Sequence, residues 1–454
     1  MTMIGLQLFP YDVADEGAAQ VIELSRLAAT TTLLPAVTYI RESQPVPRGE
    51  LPRNPVRRRH ETDGGIYFRA TESRYPPGLV PPPSMEGVDG NAALEDLRLR
   101  ATEAGIDFVP WVSLLNGRVA HEAPQACVVN ARGEPVTGWL CPTRDETHAF
   151  VRALVGDIMD RFRPSALFVD RFRFPEWGGR GAIDACTCFC DSCAVRARVE
   201  GLDLEAARST LLSLVDLLER DPTAAAGLAL DACSSGLRVM RSLAPRRVLL
   251  DWLRFRHAAI ESIAAAAREE VERRGGELWL DVWPPSYGWL LGQDLARLAP
   301  HGVWTKPFTY HRLAGGADIA GFLSSLAHDE RDLERLYQAF LAFFGFPGPG
   351  GFSEFQERGL DVGFITQETA LARRLLGGRS RLAAGVQLWQ VGPNGVRAAV
   401  EHAALARPDG FIFFCYGWAT ADELVAAGDA VRAETAKRHG SAIHGLAPSA
   451  GWTE

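Results

Sequence analysis

The chain has 454 residues, of which 47% are hydrophobic and 23% charged, and its formal net charge is −8. Such a composition belongs to a globular protein and excludes a disordered one. An acidic balance, relieved by a single basic run at Arg57-Arg58-Arg59, also excludes nucleic acid as the main partner.

From the first residues, strand-like and helix-like stretches alternate. Strand one is expected over 3–9 and is followed by a helix near 14–28. Strand two covers 31–40. Residues 41–90 are rich in Pro, Gly and Arg and read as a long loop. A helix near 92–104 leads into strand three at 106–114. A second loop follows, with Asn130-Ala131-Arg132-Gly133 as its turn. Residues 143–162 form a strong helix, with Thr143 as N-cap and Glu146 three residues on. Strand four covers 166–172.

An insertion over 174–245 carries a cysteine cluster and small helices. A long amphipathic helix spans 246–274, and strand five (277–283) is closed by Pro284-Pro285. Strand six covers 302–308, a helix 331–344, and Gly and Pro break the chain over 345–351. A helix over 366–376, strand seven (384–390), a helix over 394–406, strand eight (410–416) and a helix over 420–438 complete the pattern. The tail, 441–454, reads as loose. Eight strands, each followed by helix, give a (β/α)8 TIM barrel of the α/β class, one domain over 1–440. A typical barrel needs roughly 250 residues. The excess falls into long loops on the catalytic face and the Cys-rich insertion after strand four. An open doubly wound sheet is disfavoured, because no Gly-rich phosphate fingerprint follows strand one.

The end of strand four, Ala166-Leu-Phe-Val-Asp-Arg-Phe-Arg-Phe-Pro175, is apolar until Asp170. Charge that begins where a buried parallel strand stops lies at its carboxyl end, the catalytic face of a barrel. Strand five ends Leu278-Trp-Leu-Asp-Val-Trp283, so Asp281 comes from the neighbouring strand. Two carboxylates on adjacent strand ends can stand about 5–9 Å apart, the separation glycosidases use. Asp170 and Asp281 are therefore the expected catalytic pair, and Arg171 the nearest cation. The bland alternative is a rim of ion pairs. Strand six contributes Lys306, one of only two lysines (with Lys437) against 46 arginines. It suits site electrostatics, a buried ion pair, or a Schiff-base amine.

Aromatic residues mark the same rim: Trp111, Trp177, Trp283, Tyr310, Trp389 and Trp418. With Asp12, Arg171 and Lys306 they form the expected substrate-binding set. Rings offer apolar faces to sugar C–H groups while polar neighbours take the hydroxyls. Tyr39, Arg41 and His60 are placed on the opposite wall.

Cys186-Thr-Cys188-Phe-Cys190-Asp-Ser-Cys193 packs four thiols into eight residues. In a reducing compartment that density implies metal, and zinc in a closed thiolate site is structural. Cys188, Cys190 and Cys193 supply three ligands. The fourth is Cys141 or Cys186, with Cys141 preferred.

A family resemblance rests on these residues. Cys141-Pro142 opening a helix, a strand ending in an acid, and Cys188-x-Cys190-x-x-Cys193 together resemble glycoside hydrolase family 42. The resemblance covers about residues 140–193 and implies a structural zinc beside a barrel. Val169-Asp-Arg-Phe-Arg-Phe-Pro175 also resembles the strand-four motif of mostly uncharacterised glycoside-hydrolase-like barrels. The chain departs from family 42 where that family carries its catalytic pair. Asp170-Arg171 stands in place of Asn-Glu on strand four, and Gly385-Val-Gln-Leu-Trp-Gln390 lacks the strand-seven Glu.

The sequence thus predicts a glycoside hydrolase acting on a carbohydrate substrate, with structural zinc. The rival readings are a Lys306 Schiff-base lyase or aldolase, and a non-catalytic sugar-binding barrel. No charged leader with a long apolar core and no apolar run near 18 residues occurs. A cytoplasmic protein without membrane or nucleic-acid partners is expected, its oligomeric state open, a homo-oligomer included.

Overall fold

The structure is a computed structural model and describes residues 2–44, 46–85, 87–176, 181–312 and 319–444. Its centre is a closed parallel barrel. The strands are Met3–Leu8, Thr32–Pro35, the pair Asp107–Phe108 and Trp111–Ser113, Ala166–Asp170, Glu277–Val282, Trp304–Pro307, Arg381–Gln387 and Gly410–Phe414. The first strand pairs with the eighth, Met3 opposite Gly410. Closure is made by the third strand, which is split. Asp107 pairs with Thr32 on one side and Trp111 with Phe168 on the other. Pro110 lies in the break, and its carbonyl accepts from Phe168 N. With no N–H to give, a proline is a natural place for a ladder to change partner.

Several of the expected elements differ in detail. The second strand leaves the barrel after Pro35. The chain then pairs Thr38–Ser43 antiparallel with Glu61–Ile66, inside what reads as loop. Gly64 and Gly65, at φ 80° and 102°, hide that second strand from the sequence pattern. The first helix is two helices, Pro10–Glu16 and Ala18–Leu27, broken at Gly17. Thr143 does not cap its helix, which begins at Asp145 after Arg144. The insertion is more helical than expected: Leu204–Arg220 alone has 17 residues, followed by Pro222–Cys233 and Gly236–Leu243. The last helix runs on to His444, and the remainder of the tail lies outside the described residues.

Apolar runs become barrel strands because both of their faces are covered, one by the barrel interior and one by the helices. Leu6, Leu33, Val112, Leu167, Leu280, Leu382 and Ile412 are all buried. A satellite cluster joins the mouth to the insertion: Trp283, Tyr287 and Leu291 share it with Ala226, Leu336 and Phe340. Inside the barrel, Gly385 is required by space. A Cβ there would lie 2.5 Å from Pro307 O and 2.8 Å from Lys306 Cε.

Gly385→Ala is expected to cost about 1–3 kcal/mol, the usual range for overpacking. Urea unfolding checks it, and an unchanged midpoint would show that the neighbouring strand yields freely.

Candidate functional site

The register of three neighbouring strands sets the site. Leu280 lies opposite Val169, and Asp281 lies opposite Lys306. Asp170, Asp281 and Lys306 therefore form one row across the carboxyl end of the barrel. Strands in a sheet lie about 4.8 Å apart, and alternate residues face one way. The row is thus presented inward together.

Lys306 is 1% exposed. Its Nζ sits 3.0 Å and 3.1 Å from the two carboxylate oxygens of Asp281. It also donates to Gln7 Oε1 at 2.9 Å and Tyr310 OH at 2.8 Å. Burial pushes the Asp281 carboxyl up to about 7, against the pull of Lys306 and with a push from Asp170. Burial likewise lowers Lys306, against Asp281. Both shifts have one cause, the cost of charge away from water.

Asp170 accepts from Arg171 N at 2.5 Å and from Trp111 Nε1 at 3.3 Å. Arg171 adopts φ 55°, a left-handed conformation that costs a non-glycine residue about 1–3 kcal/mol. The turn brings its guanidinium back over the Tyr39 ring, 5.5 Å from the centroid. Arg173 lies between the rings of Trp139 and Trp283, at 5.1 Å and 5.2 Å, and donates to Glu176 Oε2 at 3.2 Å.

The opposite wall comes from the hairpin. Glu42 Oε1 accepts from Gln44 at 2.7 Å, and Glu42 Oε2 faces His60 Nε2 at 3.3 Å. His60 Nδ1 is 2.8 Å from Tyr11 OH. Burial opposes ionisation of Glu42, but His60, Arg171 and Gln44 outweigh it and hold the carboxyl down at about 2. Aromatic rings close the remainder. Trp389, Phe414 and Trp418 stand 5.4–5.5 Å apart, with Tyr310 5.2 Å from Trp389. The mouth, a cavity of about 80 Å³ open to solvent, is lined by Gln7, Tyr39, Glu42, Gln44, Trp111, Asp170, Arg171, Arg173, Asp281, Trp283, Phe308, Tyr310, Trp389, Phe414 and Trp418.

Most of the expected site residues therefore converge: Asp170, Asp281, Arg171, Trp111, Trp283, Tyr310, Trp389 and Trp418 line one mouth. Lys306 lies just beneath it. Asp12 does not join them. Its helix starts at Pro10, and its carboxylate turns back to accept from Phe9 N at 2.9 Å. Buried there, beside Glu16, Asp12 is pushed up to about 8 against the backbone bond from Phe9. Trp177 lies outside the described residues. Sequence reasoning missed Glu42 and Gln7. Gln7 carried a usable signal, a polar residue inside the apolar run Leu6-Gln7-Leu8, whereas Glu42 sat in the supposed loop and carried none.

Beside the barrel, four thiols meet. The Sγ atoms of Cys141, Cys188, Cys190 and Cys193 all lie within 4.8 Å of one another, and all four residues are buried. From Cys141 Sγ the separations are 3.5 Å to Cys190, 3.7 Å to Cys193 and 3.7 Å to Cys188. Four thiolates at about 2.3 Å from a tetrahedral ion stand about 3.8 Å apart, so the set fits one metal ion. Cys141 thus joins the three clustered cysteines, and Cys186 does not. Thr143, instead of capping, places its hydroxyl 3.1 Å from Cys141 Sγ and 3.2 Å from Cys193 Sγ. Val129 N donates to Cys188 Sγ at 3.3 Å. Such outer contacts orient ligands.

No family model and no curated protein matches the chain. Among solved structures, it is similar to the glycoside hydrolase domain of PgaB (BpsB) from Bordetella bronchiseptica. The two are 10% identical with a TM-score of 0.54, over 96% of this chain and 98% of that one. The catalytic domain of beta-amylase from Paenibacillus polymyxa is also 10% identical, with a TM-score of 0.51 over 95% of this chain and 98% of that one. At such identity the likeness is one of fold, and it agrees with the closed (β/α)8 barrel.

Elemental analysis of protein purified without chelator is expected to find about one metal ion per chain. Cys141→Ser should lower that content and destabilise the fold beyond the about 0.5–3 kcal/mol of ordinary substitutions. Metal-free protein with an unaltered melting temperature would contradict this.

Proposed function

We propose that this barrel is a glycoside hydrolase acting on a carbohydrate, with Asp170 and Asp281 as its catalytic carboxylates. One observation carries the reading: two carboxylates in register on neighbouring strands open into a single aromatic-walled mouth at the barrel's carboxyl end. The reading rests on that mouth, because a fold by itself hosts many chemistries.

The roles follow from the surroundings. Asp281 holds its proton to about 7 because burial disfavours its charge, which suits the acid that protonates a leaving glycosidic oxygen. Asp170 receives only donors, Arg171 N and Trp111 Nε1, so its oxygens are kept as acceptors facing the mouth. It is the carboxylate placed to act at the anomeric carbon, directly or through a water. Trp389, Phe414 and Trp418 offer the faces on which a sugar ring lies, and Glu42, Gln44 and Arg171 offer partners for its hydroxyls. Lys306 directs its protons at Asp281, Gln7 and Tyr310, which argues against an amine attacking a carbonyl.

The four buried thiolates would hold zinc. A closed four-sulfur set leaves no position for a substrate, so its contribution is to folding.

Asp170→Asn and Asp281→Asn are each expected to keep the fold and lower turnover by at least about 10²-fold. The acid must be protonated, so turnover of the parent should fall as pH rises through about 7. Aryl glycosides with leaving groups that need no proton should restore much of the Asp281→Asn rate and none of the Asp170→Asn rate. Assays across a glycoside panel check this, and a folded Asp170→Asn protein with parental turnover would reject the pair.

A further inference from the structure

The insertion ends in a helix, Gly236–Leu243, that has no buried residue. Eight residues do not hold a helix in water by propensity; most helices are stabilised by a packed apolar face. Here the apolar side chains point outward. Leu237 is 77% exposed, Met240 69% and Leu243 37%. They recur at i, i+3 and i+6, which places them along one side of the helix. Val239 and Ser242 are the half-buried positions of this helix. The helix is started by its own cap, Ser235 Oγ accepting from Arg238 N, and rests on the preceding helix through the Arg238–Asp231 ion pair.

Charge decides what covers this stripe. From Ala232 to Leu250 there are four arginines, 238, 241, 246 and 247, and no acid, in a chain whose net charge is −8. Arg238 reaches Asp231 on the preceding helix, and Arg247 reaches Asp251 one turn along its own helix. Arg246 Nη1 bonds only the carbonyl of Ser242, and Arg241 has no carboxylate partner among the described residues. A two-fold dimer through this patch would lay it on itself and bring the uncompensated Arg241 and Arg246 of one copy against those of the other. An anionic surface with an apolar interior takes both features at once: arginines at the headgroup phosphates, and leucine and methionine among the acyl chains. Among the described residues no helix is long and apolar enough to cross a membrane, so contact would be from one side. We propose that helix Gly236–Leu243 is a docking surface for an anionic lipid bilayer, lying in the headgroup plane with Leu237, Met240 and Leu243 inserted.

Flotation of the full chain with vesicles tests this. It should float with phosphatidylcholine vesicles that contain phosphatidylglycerol and stay behind with phosphatidylcholine alone. Binding should weaken near 1 M salt, where the Debye length falls to about 3 Å. Leu237→Ser/Met240→Ser/Leu243→Ser should abolish flotation, and because no buried residue is changed, circular dichroism should be unaltered. Arg241→Ser and Arg246→Ser should each weaken binding about fivefold, the worth of one arginine near an anionic surface. Failure of the parent to float, equal binding to both vesicle types, or a triple-serine variant that floats like the parent would overturn the proposal. A parent that is dimeric in solution and becomes monomeric in the triple-serine variant would assign the face to a second copy, and would overturn it too.

Discussion

A single ammonium beneath the mouth sets the positions above it. Lys306 Nζ is enclosed by both oxygens of Asp281, by Gln7 and by Tyr310, with no access to water. Burying a charge costs several kcal/mol and is repaid only by close geometry and additional hydrogen bonds. The chain meets that condition from three strands: the first gives Gln7, the fifth Asp281, and the sixth Lys306 itself, with Tyr310 in the turn that follows it. The seventh gives space, since Gly385 lies where any side chain would strike Lys306. Asp281 is thereby fixed in direction, and its proton affinity is set by the balance of burial against one cation.

Around this floor, charge and aromatic surface alternate. Arg173 is held between two indole faces, and Arg171 lies over Tyr39. Guanidiniums stack well on rings because they are planar and weakly hydrated. Two of those rings, Trp283 and Tyr39, also line the mouth, so a ligand meets apolar faces edged by hydrogen-bonding groups. The hairpin completes the ring of polar groups. It carries Glu42 into the mouth and braces it from behind with His60 and Tyr11.

Much of this was legible in the sequence, and for identifiable reasons. Barrel strands buried on two faces are continuous apolar runs, so the points where the runs turn polar, at Asp170, Asp281 and Lys306, also showed where the strands end. Cys141 was legible only as one of two candidates for the fourth thiol, beside Cys186, because spacing along the chain does not say which distant cysteine folds back onto a cluster. Glu42 was not. Its strand pairs with one that contains Gly64-Gly65, so neither periodicity nor β-propensity marked the hairpin. Asp12 was misplaced because its position after strand one looks like rim. The helix begins at once at Pro10, however, and an aspartate in a first turn serves the nearest free N–H. The exposed helix Gly236–Leu243 was hidden for another reason: sequence amphipathicity says that a face is apolar, not whether the molecule itself covers it.

The central claim is that Asp170 and Asp281 flank the bond that is cleaved. A crystal structure of the Asp281→Asn protein soaked with an oligosaccharide tests it most directly. The account predicts a sugar ring against Trp389, Phe414 and Trp418, a glycosidic oxygen within hydrogen-bond distance of the residue-281 amide, and the anomeric carbon facing Asp170. A ring bound in the mouth with its glycosidic oxygen beyond reach of both positions, or bound away from the mouth altogether, would contradict it.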